Sequence, residues 1–189
     1  MRKNFKKQPV VTPLPVLIIG TYDEQGVANA MNVAWGGQCS EDHVALNLGH
    51  VRQTVENLKL KQAFTVSFAT KKTVVESDYV GIASGLKQHN KIEKTGWHVV
   101  KGDHVDAPIF EELPLALECR LTRMEETPEG EIRVVGEVVN MSADESILDE
   151  QGKVDLGLLE PIMFDSAKLL YRVIGDVVGH AFKDGAQLR

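Results

Sequence analysis

The chain has 189 residues, 43% of them hydrophobic and 25% charged, with a formal net charge of −6. Those proportions describe a globular chain with room for one core and exclude a disordered or fibrous one. The acidic balance, with no basic run after residues 1–7, excludes a nucleic-acid surface as the main business, and no apolar run approaches the length of a membrane span.

The whole of residues 1–189 therefore reads as a single domain preceded by a basic tail at about 1–8. Cys39 and Cys119 have neither motif spacing nor the density of a disulfide scaffold, and read as small core or pocket-lining residues. With no secretory leader pattern, the expected location is the cytoplasm.

In chain order, β-branched and apolar runs bounded by turn residues predict strands at Leu14–Tyr22, Val27–Gly36, Val44–Leu48 and Phe64–Ala69. Further strands are predicted at Leu115–Glu125, Glu131–Ser142 and Pro161–Phe164. The polar stretches Asp23–Gly26, Ser40–Asp42, Thr127–Gly130 and Asp149–Gly152 are the turns between them. Helices are expected at Thr54–Leu60, Val74–Ser84 and Asp155–Leu159, with a weak one near the C-terminus. Strands that do not alternate with long helices argue against a parallel doubly wound sheet, and many short strands favour a small antiparallel barrel with a few helices outside. Val134-Val135 and Val138-Val139 are apolar on both faces, as in a strand covered on both sides.

The run from Val27 to Gly36 is unusual. Period-two alternation puts Ala28, Ala30, Asn32, Ala34 and Gly36 on one face, against Val27, Asn29, Met31, Val33 and Trp35 on the other. A face of such small side chains lets a flat ligand approach the backbone, or lets another strand or a subunit pack closely. After the next strand, Gly49, His50, Arg52 and Thr54 lead into a helix start. Free backbone N–H groups, the helix dipole, an Arg fork and a Thr hydroxyl there suit an anion; alternatively, Thr54 caps its helix and Arg52 lies in solvent. Taken together, a flat-ligand wall and a phosphate site describe a phosphorylated aromatic cofactor, and flavin mononucleotide (FMN) fits that description.

The common nucleotide-loop, nucleophile-elbow and zinc-helix signatures are absent. Of the histidines, no two share a spacing that places both on one metal. Asp103, His104 and Asp106 read as a polar loop rather than a metal site, so no metal and no catalytic residue of the chain's own is expected.

Several stretches resemble the flavin reductase-like, FMN-binding split-barrel family, and its flavoredoxin branch in particular. They are Pro13–Thr21, Ala28–Gly37, Leu46–Gly49 with Arg52–Asn57, Ser77-Asp78-Tyr79, and Ser84-Gly85 with Lys91. Ala107-Pro108, Leu117-Glu118-Cys119, Val135–Val138 and Tyr171–Gly175 continue the likeness.

The resemblance implies a mainly β fold, a six-stranded antiparallel Greek-key split barrel that forms a homodimer and binds FMN non-covalently. The FMN-binding residues it implies are Asn29, Ala30, Met31, Asn32, Val33, Ala34 and Trp35 along the strand, Leu48 in the next strand, Gly49, His50, Arg52 and Thr54 at the ribityl phosphate, and Ser84, Lys91 and Tyr171 beyond. It implies an oxidoreductase or electron carrier, fed by NAD(P)H or a redox protein and passing electrons to a small molecule or a protein. A non-catalytic FMN-binding or sensing module is the alternative. Family members that use NADH commonly carry a histidine five residues before the glycine matching Gly136; this chain has Glu131 there.

Overall fold

A computed structural model of the chain describes residues 1–8 and 10–188. The short strand β1 (Leu14–Pro15) leads into β2 (Leu17–Tyr22). In the turn that follows, the Asp23 carboxylate accepts the N–H groups of Gln25 at 2.9 Å and Val27 at 2.8 Å, and Gly26 takes the left-handed backbone at φ +79°. Next come β3 (Ala28–Val33), β4 (Gly36–Gln38) and β5 (His43–Gly49). Helix α1 (Gln53–Lys61) precedes β6 (Ala63–Phe68). Helices α2 (Val74–Ile82) and α3 (Lys91–Thr95) precede the small pair β7 (Val99–Lys101) and β8 (Pro108–Phe110). A long hairpin, β9 (Leu115–Glu126) and β10 (Glu131–Ala143), is followed by α4 (Leu156–Leu159), β11 (Ile162–Asp165) and β12 (Leu170–Val173).

The main sheet has seven strands in the order β3-β2-β6-β9-β10-β5-β4, and every pairing in it is antiparallel. Its two edge strands, β3 and β4, are separated in the chain only by Ala34 and Trp35, so the sheet must curl until its edges meet. The result is an antiparallel split barrel. Seven strands stand where six were expected because the run from Val27 to Gly36 breaks at Ala34–Trp35, its first part pairing with β2 and its last with β5.

Two cores lie on either side of this wall. Inside the barrel are Leu17, Ile19, Leu46, Leu48, Phe64, Val66 and Val134, joined by Val55 and Leu58 of α1. Outside it, Val16, Ile18 and Ala30 meet Val80, Ile92, Trp97 and Phe110. The unbroken apolar run Val16–Ile19 follows from this placement, since alternate residues serve different cores. The same division explains the small-residue face of β3. Ala28 and Ala30 lie under α2 and α3, and a Cβ on Gly81 of α2 would come within 2.9 Å of the Asn32 Cβ. The room beside Ala28 and Ala30 is therefore taken by helices, as the close-packing reading of this face allowed, while Asn32 and Ala34 of the same face line a cleft.

The sheet β1-β11-β12 and the pair β7-β8 flank the barrel. Cys119 is buried but Cys39 is exposed, so only one of the two is a core residue. The weak C-terminal helix proves to be a short 3₁₀ turn at Asp184–Leu188. Among the described residues no helix is long and apolar enough to cross a membrane.

Candidate functional site

Strand β5 ends at Gly49, and the chain turns through Arg52, whose extended backbone (φ −139°, ψ 140°) forms the N-cap of α1. The Arg52 side chain folds back toward Gly49: a Cβ there would lie 3.5 Å from Arg52 Nε. Thr54 is the second residue of the helix rather than its cap. Its hydroxyl accepts the Asn29 amide at 3.0 Å, linking the first turn of α1 to β3. The N–H groups of Val55 and Glu56 donate to the Arg52 carbonyl at 3.1 and 3.4 Å, while those of Gln53 and Thr54 have no partner within the helix and leave a partial positive charge at its start.

Opposite this helix start lies the end of α2. Lys91, at the start of α3, donates from Nζ to the carbonyls of Val80 at 3.3 Å and Ala83 at 3.1 Å, tying down the last turn of α2. The residue is only 2% exposed. Burial and, secondarily, the nearby Arg52 guanidinium push its pKa from 10.5 down to about 8. An ammonium has three N–H donors, and two are spent on carbonyls. One remains for a ligand.

Arg52, Lys91, Thr54, Gln53, Ser84 and Asn29 line a small recess of about 60 Å³, whose other walls are Gly81, Gly85, Met31, Asn32, Val80 and Ala83. Gly85 is required by its closeness: a Cβ there would sit 2.5 Å from Asn29 Oδ1 and 2.9 Å from Gln53 Cβ. Asn29 Oδ1 is itself buried with no hydrogen-bond partner. An unpaired buried acceptor beside two cations marks a place for a ligand that brings both a hydroxyl and an anionic group.

The recess shares Arg52, Met31, Asn32 and Gly81 with an adjoining larger cleft of about 320 Å³. The cleft is lined by Val33, Ala34, Trp35, Asn47, Leu48, Gly49, Asp78, Ile82, Phe164 and Tyr171. Its rim is apolar: Trp35 is 61% and Ile82 76% exposed. Within it, the Tyr171 hydroxyl donates to Asp78 Oδ1 at 2.7 Å. Burial and this carboxylate push the Tyr171 phenol up to about 12, so it remains a hydrogen-bond donor at neutral pH. Asn32 donates to the Ser77 carbonyl at 3.1 Å, which fixes its amide beside the cleft.

The chain matches the family described as flavin reductase like domain over residues 11–171. It belongs to that family. Among solved structures, the flavin reductase-like chain is similar to the flavoredoxin of Desulfovibrio vulgaris (Miyazaki F), at 31% identity and a TM-score of 0.92 over 98% of this chain and 100% of that one. Flavoredoxin from Methanosarcina acetivorans is similar at 28% identity and a TM-score of 0.89, with both chains fully covered. An FMN-binding protein from Thermus thermophilus, at 22% identity and a TM-score of 0.77, covers 95% of this chain and 99% of that one and shares the fold.

Within this flavin reductase-like framework, most residues expected at a cofactor converge. Met31, Asn32, Val33, Ala34, Trp35, Leu48, Gly49, Arg52 and Tyr171 line the cleft, while Asn29, Thr54, Ser84 and Lys91 line the recess. Two do not join them. Ala30 is completely buried in the outer core, and His50 lies exposed in the turn after β5, outside both pockets. Sequence reasoning gave no role to Gln53, Asp78, Gly81, Ile82, Gly85 or Phe164. Ser77-Asp78-Tyr79 and Ser84-Gly85 carried the family likeness, but nothing in their spacing foretold that α2 would bring them to β3.

In the loop of Asp103, His104 and Asp106, His104 Nδ1 is 3.1 Å from Glu118 Oε1, Asp106 pairs with Lys61 and Lys101, and Asp103 is exposed. Glu131, at the position where NADH-using members carry histidine, lies opposite Gly49 across the β5–β10 pairing, with Oε2 buried and unpartnered.

Proposed function

We propose that this flavin reductase-like protein binds FMN non-covalently and acts as a flavin-dependent oxidoreductase or electron carrier. The observation that carries the reading is the junction of an open, apolar-rimmed cleft with a small recess holding Arg52 and Lys91. Arg52, Lys91 and the first turn of α1 would hold the phosphate. The orphaned Asn29 oxygen would accept a ribityl hydroxyl, and Asn32 and Tyr171 would meet the polar edge of the ring. Met31, Trp35, Leu48, Ile82 and Phe164 would flank the ring and keep water from it.

The recess ends against the segment Ala83–Gly85 and Lys91, and its volume of about 60 Å³ suits one phosphate rather than a pyrophosphate carrying adenosine. That favours FMN over FAD. Bound FMN would supply the two-electron chemistry, leaving the protein to bind, orient and tune it. The absence of an acid–base dyad in the sequence is consistent with that division of labour. Similarity to two flavoredoxins across their full lengths supports the same reading.

Glu131, standing where NADH-using members of the family commonly carry histidine, favours the electron-carrier form over a reductase fed by NAD(P)H. Quenching titrations with FMN, FAD and riboflavin test the cofactor assignment. FMN is expected to bind tightest, and equal affinity for all three would contradict it. Anaerobic mixing of the FMN-loaded protein with NADH or NADPH then separates the two forms: rapid bleaching supports the reductase, whereas bleaching only by a protein donor or a chemical reductant supports the carrier. Loss of all redox response would leave a non-catalytic binding module.

A further inference from the structure

Charge is distributed unevenly along the site. Arg52 and Lys91 both line the small recess, whereas the adjoining cleft is lined by one carboxylate, that of Asp78 on α2. Asp78 is not among the residues lining the recess, and among the described residues it has no cationic partner. Its carboxylate accepts the Tyr171 hydroxyl at 2.7 Å, and the Tyr171 ring lies 6.1 Å from that of Phe164, centroid to centroid. The bond joins α2 to β12 beside the cleft. The phenol is a neutral donor, because burial and the carboxylate itself push its pKa up to about 12. Tyr171 therefore orients Asp78 without cancelling its charge.

Asp78 is half-buried, and water screens such a charge less than an exposed one. In the FMN reading the phosphate neutralises Arg52 and Lys91 in the recess, while the ring lies in the cleft. Asp78 is then the uncompensated charge on the ring's side of the site. Reduction of a flavin ring at neutral pH adds two electrons and one proton, so the ring gains one negative charge. A low-potential electron carrier supplies the electrons and is itself oxidised. A carboxylate lining the same cleft opposes that gain of charge.

We propose, on the strength of the FMN reading, that Asp78 lowers the reduction potential of bound FMN and so makes the loaded protein a stronger electron donor. Spectroelectrochemical titration of desalted, FMN-loaded protein against a reference dye measures the midpoint in the intact chain and in Asp78→Asn, Asp78→Ser, Asp78→Glu and Tyr171→Phe. Circular dichroism confirms that each is folded. The two neutral variants should raise the midpoint by the equivalent of at least tenfold in the oxidised-to-reduced ratio, about 30 mV for a two-electron couple. Asp78→Glu keeps the charge and should restore most of the original value. Tyr171→Phe removes the hydroxyl but leaves the carboxylate, so it should not raise the midpoint. A midpoint unmoved by the neutral variants overturns the proposal, as does one that Tyr171→Phe raises equally, since the hydroxyl rather than the charge would then be responsible. Release of FMN by the neutral variants alone would make Asp78 a residue that holds the ring, and would also overturn it. Failure of the intact chain to retain FMN strikes the FMN reading itself and this proposal with it, whereas retained FMN with an unmoved midpoint strikes the proposal alone.

Discussion

The buried lysine in the recess makes the sharpest test of the phosphate assignment. In the ligand-free protein Lys91 titrates near 8 instead of 10.5, a cost of about 3 kcal/mol for holding its charge in a buried site. The sign follows from linkage. Between about pH 8 and 10.5 the unfolded chain carries a proton on Lys91 that the folded chain has lost, so this residue makes stability rise with pH across that window. A phosphate dianion bound beside Nζ reverses the balance, because it stabilises the charged amine and raises its pKa again. Binding above pH 8 must then take up a proton, and affinity falls about tenfold for each further pH unit. FMN should therefore bind about tenfold more weakly at pH 9 than at pH 7, whereas riboflavin, which lacks the phosphate, should show no comparable change. The second phosphate ionisation, near pH 6, lies outside this window and does not confuse the comparison. Fluorescence quenching titrations of both ligands from pH 7 to 9 measure the effect, and Lys91→Met should abolish the pH dependence of the FMN-to-riboflavin affinity ratio. An FMN-to-riboflavin affinity ratio that stays constant across this range would refute the placement of Lys91 on the phosphate.

Arg52→Ala should weaken FMN by about 1.5–3 kcal/mol while leaving riboflavin nearly unaffected, since only one of them presents a charge to the guanidinium; calorimetric titration of both ligands reads the difference. Ala30→Leu should act on the fold rather than on the cofactor directly. It adds bulk to a fully buried position beneath α2 and should lower stability by about 1–3 kcal/mol in urea unfolding. The Glu118 carboxylate is 1% exposed and accepts from His104 N–H at 2.8 Å, Val105 N–H at 3.2 Å, Asn140 Nδ2 at 2.8 Å and the His104 ring. Burial opposes its charge, but these bonds prevail and hold its pKa below the usual carboxylate value, so its stabilising effect is full at neutral pH and is lost as pH falls through the lowered pKa. Glu118→Gln should lower neutral-pH stability and flatten that acid dependence, as measured by denaturant unfolding at a series of pH values.

Alternation in the sequence shows which residues share a face but not what covers it. That is why the barrel strands were legible while the small face of β3 admitted two readings. Ala28, Ala30 and Asn32 do share a face, as the period-two pattern requires, yet α2 arrives from more than forty residues away to fill much of the space beside them. In β10 the register shift between Val138 and Asn140 leaves Val139 without a partner on β9 and resets the alternation there, so Val138 and Val139 need not mean a strand buried equally on both sides; the shift between Val135 and Gly136 instead skips Thr122 of β9.

The anion recess was half legible. Gly49, Arg52 and Thr54 follow one another at a strand-to-helix turn, where local chemistry suggests a phosphate. Lys91, Ser84 and Gly85 sit in a connection with no periodic signal, and α3 is only five residues long, so family likeness alone pointed to them. What makes Lys91 distinctive is its burial and its bonds to the end of α2, which only the folded chain shows.

The central claim is that the cleft and recess together hold FMN. The most direct test is the visible spectrum of the protein incubated with FMN and then freed of unbound ligand by desalting. The account predicts a stoichiometric flavin spectrum that persists through desalting and fades on anaerobic reduction; a protein that emerges colourless would contradict it.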